Sequence, residues 1–149
     1  MFPTKTHEYE FLEFIKLEEK EINSFQPIAG SYAVVKCNDK YLLCFNTYRN
    51  QWELPAGKRE EYETPKECAF RELFEETGQL VENLEFQGLL KVKKLATGSI
   101  KYNPVYFTII NELQEFRKNT ETSAITLWDL QENIGYIDEI DVHIFNYIR

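Results

Sequence analysis

The sequence predicts an α/β (α+β) domain with helices on both faces of its sheet. Three observations carry that reading. Short segments rich in β-branched and aromatic residues crowd residues 31–53. One strongly capped amphipathic helix follows them, and further strand-like runs lead to a second helical pattern at the C-terminus. With 149 residues, 43% of them apolar and 15% aromatic, the chain suits one domain, residues 1–149, with a full-sized core. A disordered chain shows the opposite balance of apolar and charged residues.

Taken in order, Tyr9–Leu17 alternates loosely and reads as a first strand, followed by a polar stretch through Asn23. Ser31–Lys36 and Tyr41–Phe45 are apolar runs about an Asn38-Asp39 turn signal, which predicts a hairpin. A short strand surrounds Trp52 and Glu53 and stops at Pro55-Ala-Gly57. Thr64-Pro-Lys-Glu67 is a capping box with proline at the first helical position, and Gly78 supplies the stop. Between them Ala69, Phe70, Leu73, Phe74 and Thr77 recur at helical spacing as one buried stripe. Leu84–Lys93, Val105–Ile110 and Ala124–Trp128 read as strands. Asp138–Ile148 reads as a closing helix with Ile140, Ile144 and Ile148 on one face.

Composition excludes several classes of function. Seventeen basic against twenty-five acidic residues give a net charge of −8, which argues against stable binding to nucleic acid or anionic lipid through phosphate contacts alone. The N-terminal stretch is studded with glutamate and holds no long apolar run, so neither a signal peptide nor a membrane span is expected. Cys37, Cys44 and Cys68 form no C-x-x-C pair and fit free thiols in a reducing cytoplasm.

One feature breaks a stability rule. At about 100° per residue, Glu72, Glu75 and Glu76 share a face opposite the apolar stripe and crowd the last turns of their helix. Glu72 and Glu76 repel by about 0.2–0.5 kcal/mol, and each terminal carboxylate opposes the helix dipole by about 0.3–1 kcal/mol. The plain alternative is a solvated acidic face in a Glu-rich protein. The compensation that fits the misplacement is a divalent cation, and an all-oxygen donor set suits Mg²⁺ or Mn²⁺ rather than zinc. His7 and His143 lie far apart, and His143 reads as ordinary packing.

The stretch Gly57–Glu63 followed by Arg71–Gly78 resembles the Nudix box, G-x5-E-x7-R-E-U-x-E-E-x-G-U with U a bulky aliphatic residue. Gly57, Glu63, Arg71, Glu72, Leu73, Glu75, Glu76 and Gly78 match at the required spacing, and Gln79 departs from the last aliphatic position. A chance match is on the order of 10⁻⁶ along the chain, and about tenfold more once the Glu bias is allowed for.

The resemblance, over residues 57–79, implies a Nudix fold, a mixed β-sheet sandwiched between α-helices. It implies Glu72, Glu75, Glu76 and the Gly57 carbonyl as ligands of Mg²⁺ or Mn²⁺, and Glu63 with Arg71 as a structural ion pair. The implied reaction is attack of water on a diphosphate linkage of a nucleoside diphosphate derivative. Glu72 is one candidate for the catalytic base. Family members also recruit a glutamate from a later loop; of Glu112, Glu115 and Glu121, the last is favoured because it precedes the Ala124–Trp128 strand. Arg49, Lys58 and Arg59 flank the box as candidates for phosphate binding, and Tyr48, Trp52 or Tyr102 for base stacking.

The first expectation for the substrate is a (deoxy)nucleoside triphosphate, oxidised forms included. ADP-ribose or another nucleotide sugar is second: Trp52–Gly57 resembles the lead-in of ADP-ribose hydrolases, while the short chain and the late position of Pro104 do not. A Nudix-like sensor without activity is the rival of another class, and the intact acidic positions speak against it. The expected partner is a small nucleotide. Oligomeric state, a homodimer among the options, stays open.

Overall fold

In the computed structural model, which describes residues 4, 5 and 8–148, the predicted hairpin organises the sheet. β3 (Ser31–Cys37) and β4 (Lys40–Asn46) meet at a two-residue turn in which Asn38 and Asp39 have φ of 53° and 64°. Positive φ at both positions matches the right-handed twist of the flanking strands, and Asn and Asp tolerate it. The two strands pair only beside that turn, at Lys36–Tyr41 and Cys37–Lys40, and then diverge.

Each strand takes a different partner. β3 pairs in parallel with β8 (Ile100–Ile110) and, near its start, with β6 (Ala56–Gly57). β4 pairs antiparallel with β5 (Gln51–Glu53) and β9 (Thr122–Trp128). β8 continues to β7 (Glu85–Lys94) and β2 (Tyr9–Ile15), while β5 leads to β10 (Ile137–Asp138) and β1 (Thr4–Lys5). The sheet is therefore mixed and splits into two wings at the hairpin.

Alternation along β3 and β4 sends side chains to two cores. On one face Ala33, Val35 and Leu42 pack with Ala69 and Leu73 of α1 (Pro65–Thr77). On the other, Val34, Leu43, Leu90 and Val105 pack with Ile144 of α2 (Glu139–Ile144) and with Ile148. A 3₁₀ helix over Glu19–Ser24 covers a third cluster of Ile22, Ile28 and Leu89.

α1 has the predicted limits. Thr64 accepts from the Glu67 N–H at 3.1 Å while Glu67 accepts from the Thr64 N–H at 2.8 Å, and Gly78 ends the helix at φ 77°. The buried stripe differs from the expectation: Cys68 joins Ala69, Leu73 and Thr77, Phe70 is half-buried, and Phe74 is 43% exposed. Glu76 is buried as well, because β6 lies across that side of the helix.

Three further boundaries move. β8 begins at Ile100 instead of Val105, and β9 at Thr122 instead of Ala124. The closing helix covers only Glu139–Ile144 of the expected Asp138–Ile148. Its next turn tightens, with the Asn146 and Tyr147 N–H groups donating to the carbonyls three residues back at 3.1 and 3.0 Å. Ile144 and Ile148 are buried there, whereas Ile140 is half-buried. The His143 ring stacks on Phe11 with centroids 4.3 Å apart, which is packing; His7 lies outside the described residues.

Candidate active site

The site grows from the way α1 and the β5–β6 segment face each other. The Ala56 N–H donates to Glu76 Oε1 at 2.8 Å, which pins the end of the helix to the strand. Glu72 lies against Gly57: a Cβ added there would stand 1.4 Å from Glu72 Oε2, so only glycine admits this approach. The Gly57 carbonyl accepts from the Cys68 thiol at 3.3 Å.

Arg71 organises the acidic side chains. It grips Glu63 with Nε at 2.7 Å and a terminal nitrogen at 3.0 Å, and reaches Glu72 at 2.7 Å and Glu75 at 3.2 Å. Its remaining N–H donates to the Lys58 carbonyl at 2.8 Å, so all five donors of the guanidinium are used. The pair read from the sequence is thus the centre of a network that ties the box loop to the helix. The Arg71 hydrogen bonds hold the Glu63 carboxyl below its usual range.

Glu76 has no such cation among the described residues. Burial, a hydrogen bond with the Glu121 carboxyl, and the charges of Glu72 and Glu121 push it up to about 10, although the Ala56 N–H opposes the shift. Burial likewise raises Glu72 to about 7, against the pull of Arg71 and with the push of Glu75. The face that the sequence assigns to solvent is therefore graded. The Glu75 side chain is 54% exposed and that of Glu72 only 13%, while Glu76 is buried.

Of the loop glutamates, Glu121 is brought to Glu76. The Thr47 N–H donates to its carbonyl at 2.8 Å, and the Asn119 side chain accepts its N–H at 3.0 Å. Glu112 and Glu115 are exposed, the latter beside Gly78 and Leu80.

The basic candidates separate. Lys58 stands at the rim of a cavity beside Gly57. Arg49 is bound to Glu53 at 2.6 and 2.9 Å in an adjoining cleft, and Arg59 lines a shallow cleft with Glu60 and Glu63. None of the three proposed stacking rings lines the cavity. Tyr48 is 72% exposed, Trp52 donates to the Ile134 carbonyl, and Tyr102 packs edge-on with Phe25 over the 3₁₀ helix.

That cavity, about 190 Å³, contains the residues that reading the sequence missed. Tyr9, Tyr32, Lys101, Asn103, Asp138 and Ile140 line it with Gly57 and Lys58, on the α2 side of the sheet. They come from β2, β3, β8, β10 and α2, brought together by long-range pairing that leaves no local signature. Beneath it a second acidic group gathers: Asp141 accepts from the Leu54 N–H at 2.8 Å, and Asp138 from the Gln51 side chain at 3.0 Å. Burial raises both carboxyls; the charge of Glu53 adds to the rise at Asp138, and those of Asp138 and Glu53 add to it at Asp141, while the Asp141 backbone N–H opposes it at Asp138.

The NUDIX domain family matches residues 27–142 of this chain. The chain belongs to the Nudix family. Among its relatives is the Bacillus subtilis protein YtkD, named as a candidate 8-oxo-dGTP diphosphatase, 30% identical over 132 residues that cover 85% of this chain and 82% of that one. The crystal structure of a mutant pyrophosphohydrolase from Bacillus subtilis superposes with a TM-score of 0.63 at 26% identity, covering 78% of this chain and 70% of that one. The NUDIX domain of Shewanella oneidensis NrtR, solved with ADP-ribose, has a TM-score of 0.68 at 16% identity over 88% of this chain and 96% of that one; it shows the shared fold. This Nudix protein is an enzyme that hydrolyses phosphorus-containing anhydrides, a pyrophosphohydrolase.

The departure at Gln79 is absorbed in the fold. Its amide is buried and exchanges hydrogen bonds with the Gln114 backbone at 2.9 and 2.7 Å, holding the following loop where the family pattern has an apolar side chain.

Nudix hydrolases generally use Mg²⁺ or Mn²⁺. As the side chains stand, no three His, Cys, Asp or Glu groups among the described residues converge as a metal cluster. The donor chemistry nevertheless fits a hard divalent ion: oxygen ligands only, and a buried Glu76 facing two other carboxylates with no cationic partner among the described residues. Among the described residues no helix is long and apolar enough to cross a membrane, and the three cysteines are buried free thiols.

Proposed function

We propose that this protein is a Mg²⁺- or Mn²⁺-dependent pyrophosphohydrolase of (deoxy)nucleoside triphosphates, oxidised forms included, working in a reducing cytoplasm. One observation carries the reading: the loop that bears Gly57 and Lys58 is at once the wall of the α2-side cavity and the partner of the buried glutamates. A nucleoside seated in the cavity directs its phosphates past Lys58 toward Glu72 and Glu76. The YtkD relative supports the same substrate class.

Glu72, Glu75, Glu76 and the Gly57 carbonyl would hold the cation. When bound, it supplies charge neutralisation at the phosphate oxygens and a lowered pKa for water. The chain's own residues do the rest. Arg71 fixes the Glu72 and Glu75 carboxylates by hydrogen bonds, and Lys58 attracts the phosphates that a protein of charge −8 otherwise repels. Glu76 and Glu121 share a hydrogen bond, the charge of Glu72 acts on Glu76, and Glu121 is the candidate base outside the helix.

The test is a panel of nucleoside triphosphates, oxidised triphosphates and ADP-ribose with Mg²⁺ or Mn²⁺, products resolved by chromatography. Triphosphates are expected to be cleaved, and Glu76→Gln to lose about 100-fold or more in kcat with an unchanged circular dichroism spectrum. Cleavage of ADP-ribose alone, or wild-type turnover by Glu76→Gln, would overturn the reading.

A further inference from the structure

The connection from β8 to β9, residues 111–121, has no regular structure and carries Glu121 at its end. Such a segment keeps its place only through the bonds it makes to neighbouring elements. One fastening lies at Gln114, which exchanges hydrogen bonds with Gln79 and Leu80. The other encloses Glu121. Its N–H donates to Asn119 Oδ1 at 3.0 Å, and its carbonyl accepts from the Thr47 N–H at 2.8 Å and the Thr47 hydroxyl at 3.1 Å. Asn119 Oδ1 also accepts the Thr122 N–H at 2.8 Å, and Asn119 Nδ2 donates to the Glu75 carbonyl at 3.0 Å. That carbonyl is one of the last four of α1, which lack partners inside the helix. One carboxamide therefore runs from the helix of Glu72, Glu75 and Glu76 to the peptide unit of Glu121.

The turn alone does not need an amide. Asp129 accepts the Gln131 and Glu132 N–H groups at 2.9 and 2.8 Å, and Asp138 those of Ile140 and Asp141, in the same pattern two and three residues on. A carboxylate oxygen suffices for both. Asn46 repeats the pattern with Tyr48 and Arg49, and there the amide N–H goes to Glu53. At Asn119 the amide N–H goes to α1, so the choice of asparagine there serves the bond between loop and helix. We infer that Asn119 is a positioning residue for hydrolysis: by tying its loop to the C-terminal end of α1, it keeps the Glu121 carboxyl beside that of Glu76. The inference rests on the reading of Glu121 as the base. Thr47 steadies the same peptide unit from the β4–β5 turn, which leaves the bond to Glu75 as the one that sets the spacing from the helix. A reacting group misplaced by about 1 Å loses about 100-fold in rate, so this spacing has a direct kinetic consequence.

The test is steady-state kinetics with Mg²⁺, on the nucleotide of the panel above that the wild type cleaves fastest, for Asn119→Ser, Asn119→Asp, Glu121→Gln and the double variant Asn119→Ser with Glu121→Gln. Serine keeps an oxygen for the turn but is too short to reach Glu75, and aspartate keeps the shape while facing the carbonyl with an oxygen. Both Asn119 variants are expected to lose about tenfold or more in kcat with KM within about threefold of wild type and Tm within about 2 °C. In the Glu121→Gln background, Asn119→Ser should cost less than about twofold further. In the metal-free protein, the Glu121 amide should exchange hydrogen about tenfold or more faster in both Asn119 variants, while the amides of α1 keep their wild-type rates. Wild-type kcat in both variants, a loss confined to KM, a full further loss in the Glu121→Gln background, or unchanged exchange at Glu121 overturns the proposal. A loss under about tenfold in Glu121→Gln refutes the reading of Glu121 and the role of Asn119 with it. A large loss there beside wild-type kcat in the Asn119 variants refutes the role of Asn119 alone.

Discussion

Removing the Arg71 guanidinium tests whether the box is held together by one side chain. Arg71 and Glu63 are paired side-on with side chains 22% and 12% exposed, so their contact is largely shielded from water. Breaking a buried pair by deleting one partner costs about 3–5 kcal/mol, and partial exposure brings the expectation for Arg71→Ala down to about 2–3 kcal/mol. For a chain of this size that is a fall in Tm of about 4–12 °C. Arg71→Lys restores the charge but not the fork that holds Glu63, Glu72, Glu75 and the Lys58 carbonyl at once, so it should recover less than half of the loss. The pH dependence has a definite sign. The Glu63 carboxyl is lowered in the folded state, so its contribution is complete above its unfolded value of 4.5 and is lost as pH falls through the folded value. The gap between wild type and Arg71→Ala should therefore be widest at neutral pH and close on acidification. Thermal and urea melts from pH 3 to 8 measure it. A loss below about 1 kcal/mol at pH 7, or a gap that widens in acid, would refute the assignment of Arg71 as the tie between loop and helix.

The other expectations concern neighbouring groups. Asp141→Asn should raise Tm, and the gain should grow as pH rises above 3.8, because burial raises the Asp141 carboxyl and the folded state pays for its ionisation; a gain that shrinks with rising pH contradicts the placement. Gly57→Ala should cut Mg²⁺-dependent turnover by about 100-fold while costing about 1–3 kcal/mol of stability, since its methyl group occupies the position of the Glu72 carboxylate; full activity would show that Glu72 stands elsewhere in the working enzyme. Glu121→Gln should lower kcat by about 100-fold at saturating metal, and a loss under about tenfold removes Glu121 from the chemistry.

How much of this was legible in the sequence depends on how local each signal is. The limits of α1 were legible because Thr64, Glu67, Pro65 and Gly78 act within a single turn at either end. The hairpin was legible because Asn38 and Asp39 satisfy a two-residue turn by themselves. Periodicity also placed Glu72, Glu75 and Glu76 on one face, but it could not show that β6 covers that face and buries Glu76, because the covering strand is twenty residues away along the chain. The same blindness put Phe74 in the core stripe and left it exposed in the fold. The cavity was beyond reach altogether. Asn103 meets Tyr32 only through a parallel pairing across some seventy residues, and Asp138 arrives through β10 adding to β5.

The two acidic groups are not independent decorations. They meet on the short stretch Leu54–Gly57, whose alternate N–H groups point to opposite sides. The Leu54 N–H donates to Asp141 from α2, and the Ala56 N–H donates to Glu76 from α1, each at 2.8 Å. A helix on each face of the sheet thus places a buried carboxyl against the same extended segment, and the segment then ends in the glycine that receives Glu72. Two buried carboxyls on one backbone weaken the fold relative to apolar side chains of the same size. Under the proposed function the arrangement makes sense: a single stretch would set the distance between the cavity proposed to receive the nucleoside and the carboxylates proposed to face its phosphates, so that neither face shifts without moving the other.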